Sequence, residues 1–136
     1  MPPYVHRTTL RFRDTDAAGI IYFASYFTLA HEALEACMLH YDLGVGRVTR
    51  ERDYILPLVH ADGDFAAPLR VDDEVLIEVS TAKVGTTSFA IAYTMTTPEG
   101  THVCQAQTVH VSLHRERQKP IPLPDEVRTI LQRLAP

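Results

Sequence analysis

The chain has 136 residues, of which 46% are hydrophobic and 22% are charged, and its formal net charge is −4. This length suits one domain, residues 1–136, with one core. A net negative charge argues against general nucleic-acid binding, which needs a basic surface. No stretch approaches the roughly 20 apolar residues that span a membrane, and the chain starts without a secretory leader pattern. We therefore expect a cytoplasmic protein that binds neither nucleic acid nor membrane.

The first predicted elements are a strand, a turn and a long helix. Alternation of apolar and polar residues predicts a strand over Tyr4 to Phe12, and the turn Asp14 to Gly19 follows. A helix is predicted from about Ser25, because apolar residues recur there at helical spacing. These residues are Tyr26, Leu29, Ala30, Ala33, Leu34, Cys37 and Met38. Gly44 and Gly46 are expected to end the helix.

The rest of the chain reads mainly as strands. One extended segment covers residues 54–65 and is interrupted by Pro57 and by Asp62-Gly63. Three further strands are predicted around residues 75–79, 89–95 and 103–113, joined by hairpin turns at 85–87 and 98–100. A short helix is predicted over 125–134. One helix cannot cover both faces of five strands, so this α+β order predicts self-association.

The cysteines and histidines indicate neither a disulfide nor a metal site. Cys37 and Cys104 lie far apart in apolar surroundings, which is typical of buried free thiols in a reducing compartment. The histidines of the last strand are too far apart to chelate one ion. The sequence also has no Gly-x-Ser-x-Gly, Gly-x-Gly-x-x-Gly or Walker motif. We expect no metal and no cofactor.

The strongest functional signal is an acid on the turn before the long helix. The first N–H groups of a helix have no partners inside it and carry partial positive charge. An acid or base beside such an anion site suits acyl transfer. Asp-Thr-Asp before a helix is also ordinary turn and capping chemistry. Asp16, however, lies too early in the chain to cap a helix that starts at Ser25.

The run Asp14-Thr15-Asp16-Ala17-Ala18-Gly19-Ile20-Ile21-Tyr22, followed by an aromatic residue and a helix, resembles the 4-hydroxybenzoyl-CoA thioesterase branch of the hotdog fold. The resemblance runs from about residue 4 to residue 124. Two further stretches, 30–33 (AHEA) and 56–68 (LPLVHA to DFAAP), resemble the 1,4-dihydroxy-2-naphthoyl-CoA thioesterases within that branch. The implied fold is a five-stranded antiparallel sheet wrapped around a long central helix. The implied activity is hydrolysis of an aromatic acyl-CoA.

The resemblance also implies roles for individual residues. Asp16 matches the catalytic carboxylate, which acts either as nucleophile or as general base. Phe23 matches the residue whose backbone N–H binds the carbonyl oxygen. Gly19 and Tyr22, which belong to the same motif, and His31 on the helix are expected to bind the substrate. His31 stands where many members carry an acid, and Phe23 where many carry histidine, a departure that favours an aromatic acyl group over a short chain.

Other expected contacts come from residues outside the motif. His60 is either a partly buried side chain satisfied by backbone or a hydrogen-bond partner for a hydroxyl on the acyl ring. The coenzyme A phosphates need cations, and the candidates are Lys83, Arg115, Arg117 and Lys119. The expected assembly is a homodimer that forms a homotetramer. Alternative substrates are 4-hydroxybenzoyl-CoA and short or medium acyl thioesters of CoA or acyl carrier protein, and an alternative class is a non-catalytic acyl-CoA-binding hotdog protein.

Overall fold

The computed structural model describes residues 4–136, which form seven strands and three α-helices. The strands are β1 (Tyr4–Thr9), β2 (Tyr54–Ile55), β3 (Leu58–Phe65), β4 (Glu74–Val84), β5 (Ser88–Thr96), β6 (His102–Val111) and β7 (Leu113–His114). The helices are α1 (Ser25–His40), α2 (Val45–Glu51) and α3 (Asp125–Arg133). None of the helices in this described range is long and apolar enough to cross a membrane.

Five strands form one antiparallel sheet in the order β1-β4-β5-β6-β3, and β2 pairs with β7 separately. Helix α1 packs on one face of the large sheet, where its apolar stripe is buried against the strands. Two alanines in that stripe, Ala30 and Ala33, are fully buried, and small residues of this kind let the helix approach the sheet closely. The predicted hotdog architecture, with a sheet wrapped around a long helix, is confirmed.

The end of α1 differs from the prediction. Asp42 adopts φ +60°, a left-handed conformation, and hydrogen bonds from Asp42 N and Leu43 N return to the last turn of α1. That is the usual way for a helix to stop, although glycine is the common residue there. Gly44 instead precedes α2, and Gly46 lies inside it. The prediction missed α2 because a short segment that contains glycine has weak helix propensity.

Two predicted strands are each divided in the structure. Pro57 separates β2 from β3, and its carbonyl accepts a hydrogen bond from Val111 N. Strand β6 ends at Val111, and after Ser112 the chain pairs with β2 as β7. The expected interruption at Asp62-Gly63 is wrong: β3 runs through both residues, and its irregularity lies between Leu58 and His60.

Candidate active site

The loop between β1 and α1 folds as a tight turn around Asp16. Thr15 and Ile21 form an isolated antiparallel bridge, and Asp16 N donates to Ile20 O at 3.0 Å. Gly19 N closes the turn on Asp16 O at 3.0 Å, with Gly19 at φ +80°. L side chains rarely adopt this conformation, so glycine fits the position. The turn holds Asp16 exposed at the surface.

The two acids of this loop have different structural roles. Asp14 is buried, and its Oδ2 accepts a hydrogen bond from Arg11 N at 2.9 Å. Asp16 accepts one hydrogen bond, from Ala18 N to Oδ1 at 2.8 Å. Across residues 4–136 its second oxygen has no hydrogen-bond partner. Asp14 therefore stabilises the loop, while Asp16 keeps one oxygen available for chemistry.

The start of α1 has free backbone donors where the sequence predicts an anion site. The residue before the helix is Ala24, which offers no capping side chain. Within the described residues, neither Phe23 N–H nor Ala24 N–H takes part in a backbone hydrogen bond. These donors point from the positive end of a 16-residue helix. A developing oxyanion would be stabilised at this position.

An aromatic platform, made of Tyr22, Phe23, Phe27 and Phe65, surrounds the start of α1. The Phe65 ring lies 6.5 Å from that of Phe23 and 6.1 Å from that of Phe27, centroid to centroid. The Phe65 ring also stacks on the Tyr26 ring, with 4.7 Å between centroids. Tyr22, Phe23 and Phe65 are 47%, 58% and 44% exposed. Sequence reasoning missed Phe65 as a site residue because only the folded chain brings β3 to the start of α1. It also missed Phe27, which lies in the first turn of α1.

His31 does not lie beside Phe23. Eight residues of helix separate them, which corresponds to about 12 Å at 1.5 Å per residue. The imidazole is exposed, and its Nδ1 lies 3.4 Å from Glu35 Oε1. Glu32, the next residue, pairs with His6 at 2.7 Å across to β1. His31 therefore lies about two helical turns along α1 from Phe23, and its expected contact with substrate stays a prediction.

The structure contradicts one of the two sequence interpretations of His60, its burial against backbone. The side chain is exposed and pairs with Asp62, with 2.9 Å between Nε2 and Oδ2, so it is not buried against backbone. Alternate residues of a strand share a face. His60 therefore shares the outer face of the sheet with Asp62, whereas Phe65 contacts α1 on the opposite face. The other interpretation, a hydrogen bond from His60 to a hydroxyl on the acyl ring, stays a prediction.

The predicted coenzyme A cations lie toward the other end of the sheet from Asp16. Phe65 pairs with Cys104 and through it with Met95, whereas Lys83 pairs with Ala90. Five residues along β5 separate these two rows, or about 17 Å. Lys119 and Arg117 lie at the same end, bonded through backbone to His114.

Arg115 already makes hydrogen bonds within the chain. Its guanidinium donates to Arg52 O at 2.9 Å and to Val48 O at 2.8 Å. Those bonds attach α2 to the strand region, and a contact of Arg115 with phosphate stays a prediction. Among residues 4–136 no group of three or more His, Cys, Asp or Glu side chains is arranged to hold a metal ion.

Comparison with known proteins places these features in a family. The Thioesterase-like superfamily matches residues 10–131. A 1,4-dihydroxy-2-naphthoyl-CoA hydrolase of Rippkaea orientalis (strain PCC 8801 / RF-1) is 33% identical over 121 residues, which cover 88% of each chain. The protein of the same name from Nostoc punctiforme is 35% identical over 124 residues, covering 91% of this chain and 83% of the relative.

Solved structures agree with the sequence relatives. The crystal structure of a 1,4-dihydroxy-2-naphthoyl-CoA thioesterase from Synechocystis superposes with a TM-score of 0.89 at 29% identity and covers 95% of both chains. A gentisyl-coenzyme A thioesterase shares the fold, with a TM-score of 0.84 at 24% identity. The family match spans the turn that carries Asp16, the whole of α1 and all of the large sheet after β1. The chain therefore belongs to the thioesterase-like superfamily and is a hotdog-fold thioesterase.

Proposed function

We propose that this thioesterase hydrolyses an aromatic acyl-CoA, with 1,4-dihydroxy-2-naphthoyl-CoA as its preferred substrate. The observation that carries the proposal is the likeness to hydrolases of that name at 33% and 35% identity over most of both chains. The aromatic platform beside Asp16 supports it, since exposed rings at the start of α1 suit a flat acyl group better than a short alkyl chain.

In the proposed reaction the thioester carbonyl oxygen accepts a hydrogen bond from Phe23 N–H. Asp16 then acts in one of two ways. It attacks the carbonyl carbon and forms an anhydride that water opens, or it takes a proton from a water that attacks directly. Either route breaks the C–S bond and adds the elements of one water, giving the free acid and the CoA thiol. Negative charge that develops on the oxygen is stabilised by the positive end of α1.

We further propose that the active unit is a homodimer paired along β3. This strand is an edge of the sheet, and all its residues but Gly63 are exposed. Three large apolar side chains are among them: Leu58, Val59 and Phe65 are 46%, 59% and 44% exposed. An edge strand with unpaired backbone groups and apolar side chains is a template for pairing with another strand. A second copy of β3, running antiparallel about a two-fold axis, would hydrogen-bond to the unpaired backbone groups and cover the apolar side chains.

Such pairing would complete the active site. Antiparallel β3 strands place the Leu58 end of one chain beside the Phe65 end of its partner. Lys83, Arg117 and Lys119 lie at the Leu58 end of the sheet. In the dimer, the same three cations of the partner subunit would therefore lie on the side of Asp16 toward which the bound coenzyme extends. The phosphates would then meet cations across the dimer.

Two more features belong to the proposal. Pairs of dimers would form a homotetramer through the outer face of α1, where Leu39 is 70% exposed. We place the protein in the cytoplasm, because both Cys37 and Cys104 are buried free thiols, which suits a reducing compartment.

The experiment that tests the function is a thiol-release assay with several acyl-CoAs. Burial of about 50 Å² more apolar area by a second ring contributes about 1.2 kcal/mol at roughly 25 cal/mol per Å². We therefore expect kcat/KM for 1,4-dihydroxy-2-naphthoyl-CoA to exceed that for benzoyl-CoA and for hexanoyl-CoA by about tenfold. Equal turnover of hexanoyl-CoA would refute the naphthoyl proposal. Binding of every ester without thiol release would refute catalysis.

A further inference from the structure

The connection from β3 to β4 lies against the loop between β1 and α1. It begins after Phe65 as residues 66–69 (AAPL). Two consecutive N–H groups of this connection, those of residues 66 and 67, donate to Val103 O at 2.8 and 3.2 Å. Farther along, Leu69 O accepts a hydrogen bond from Ile21 N at 2.8 Å. The connection is therefore bonded to β6 at its start and to the loop that carries the catalytic acid at its end.

A buried hydroxyl group of α1 bonds to the middle of this connection. Tyr26 is 4% exposed, and its OH donates to Ala67 O at 2.8 Å. Burial raises the pKa of the Tyr26 hydroxyl, so the group stays protonated and remains a donor. The ring of the same residue stacks on Phe65, with 4.7 Å between centroids and 14° between planes. One side chain therefore holds both the Phe65 ring and the backbone that follows it.

The Phe65 ring belongs to the aromatic platform at the start of α1. A flat acyl group gains most from such a platform when the rings keep a fixed arrangement, because aromatic pairs prefer offset or edge-to-face geometry. An alkyl chain has no such requirement, since the burial of apolar surface is non-directional. The position of Phe65 therefore matters more for an aromatic acyl group than for an alkyl one.

We infer that Tyr26 is a positioning residue, which sets the preference for aromatic acyl groups by holding Phe65 in the platform. Its own side chain is buried, so it acts through Phe65 and not by contact with the substrate. The inference rests on the proposed function, because it concerns the same acyl site. In the sequence Tyr26 reads only as one member of the apolar stripe of α1.

Tyr26→Phe tests the inference, because it removes the hydroxyl and keeps the stacked ring. The KM for 1,4-dihydroxy-2-naphthoyl-CoA should rise about fivefold, while kcat stays within about twofold of wild type. The kcat/KM for hexanoyl-CoA should also stay within about twofold of wild type. A general loosening of the fold would instead lower turnover of both esters alike. That result would overturn the inference.

A matched control removes the same kind of hydrogen bond elsewhere in the chain. Thr81 Oγ1 donates to Leu131 O at 2.7 Å, which joins β4 to α3. Thr81→Val should therefore leave the ratio of the two kcat/KM values unchanged. If Tyr26→Phe does not fold, Ala67→Gly loosens the same connection and should lower the ratio in the same direction. An equal fall of the ratio in Thr81→Val would show that the effect is not specific to Tyr26.

A double-mutant cycle tests whether Tyr26 acts through Phe65. Phe65→Leu removes the ring, so in that background Tyr26→Phe should change the KM for 1,4-dihydroxy-2-naphthoyl-CoA by less than about twofold. The same fivefold effect in both backgrounds would refute positioning through the ring. The wild-type protein separates the two proposals. If it does not prefer the naphthoyl ester over hexanoyl-CoA, the proposed function fails, whereas a preference that survives in Tyr26→Phe refutes only the role of Tyr26.

Discussion

At the scale of single residues, Asp14 and Asp16 show how position separates structure from chemistry. They lie two residues apart, yet Asp14 is buried and bonded to Arg11 N, while Asp16 is exposed and accepts only from Ala18 N. The sequence predicts a role for Asp16 because no helix start is near enough for it to cap. The sequence does not predict that Asp14 is buried, because its burial depends on how the 3₁₀ turn at 12–14 packs against the rest of the chain.

The backbone donor at Phe23 can be tested separately from its ring. Phe23→Pro removes the N–H and keeps the rest of the loop, so kcat should fall by about 10²–10³, the usual effect of losing one oxyanion donor. Phe23→Ala keeps the donor and loses only ring contacts, so its kcat should fall much less. The measurement is thiol release at saturating substrate. Equal losses in the two variants would show that the ring, and not the N–H, is the functional group.

At the scale of elements, a chain of hydrogen bonds ties β5, β6 and the segment before β3 together. It runs from Tyr93 through Thr108 and His110 to Leu56 O. Burial lowers the pKa of His110 from its ordinary value of 6.5. Below pH 6.5 the unfolded chain therefore takes up a proton at this position before the folded chain does. This histidine lowers stability as the pH falls, and contributes no pH dependence above that range.

Replacement of His110 should flatten the pH dependence of stability. We expect wild type to lose more free energy of unfolding between pH 7 and pH 5 than His110→Gln, with a difference of at most about 1.4 kcal/mol per pH unit. The measurement is urea unfolding at each pH. His102→Gln, at an exposed position of the same strand, should behave like wild type. A parallel loss of stability in wild type and in His110→Gln would contradict the assigned direction.

The elements also show which parts of the fold were predictable. The stripe from Tyr26 to Cys37 predicted α1 correctly, because a long amphipathic pattern is decided by local periodicity. Helix α2 and the division at Ser112 were missed, since both depend on distant partners, Arg115 for α2 and β2 for β7.

The candidate site was predictable only where it is continuous in sequence. Asp16, Gly19, Tyr22 and Phe23 all lie on one loop, and the structure keeps them together. His31 and His60 were predicted to contact substrate from sequence alone, which does not show how far apart or on which face residues lie. In the structure His31 lies about two turns along α1 from that loop, and His60 lies on the outer face of β3. Phe65 was not recognised because its contact with Phe23 joins β3 to α1 across about 40 residues.

At the scale of the whole molecule, the proposed dimer predicts a matched pair of variants. Val59→Glu places a negative charge on the paired edge of β3. In the proposed antiparallel pairing this charge faces the Asp64 end of the second copy, so like-charge repulsion should give a monomer with little activity. Val5→Glu makes the same change on β1, the other edge strand, where Val5 is 46% exposed. It should keep the wild-type mass in light scattering. A monomeric wild-type protein with full activity would contradict the pairing.

The catalytic carboxylate carries the central claim, and Asp16→Asn tests it most directly. The amide has the same shape and can still accept from Ala18 N, so circular dichroism and the oligomeric mass should match wild type. The kcat for 1,4-dihydroxy-2-naphthoyl-CoA should fall by about 10²–10⁴, or by more if Asp16 is the nucleophile. Asp14→Asn should retain far more activity. A folded Asp16→Asn protein that hydrolyses the thioester at nearly the wild-type rate would contradict this account.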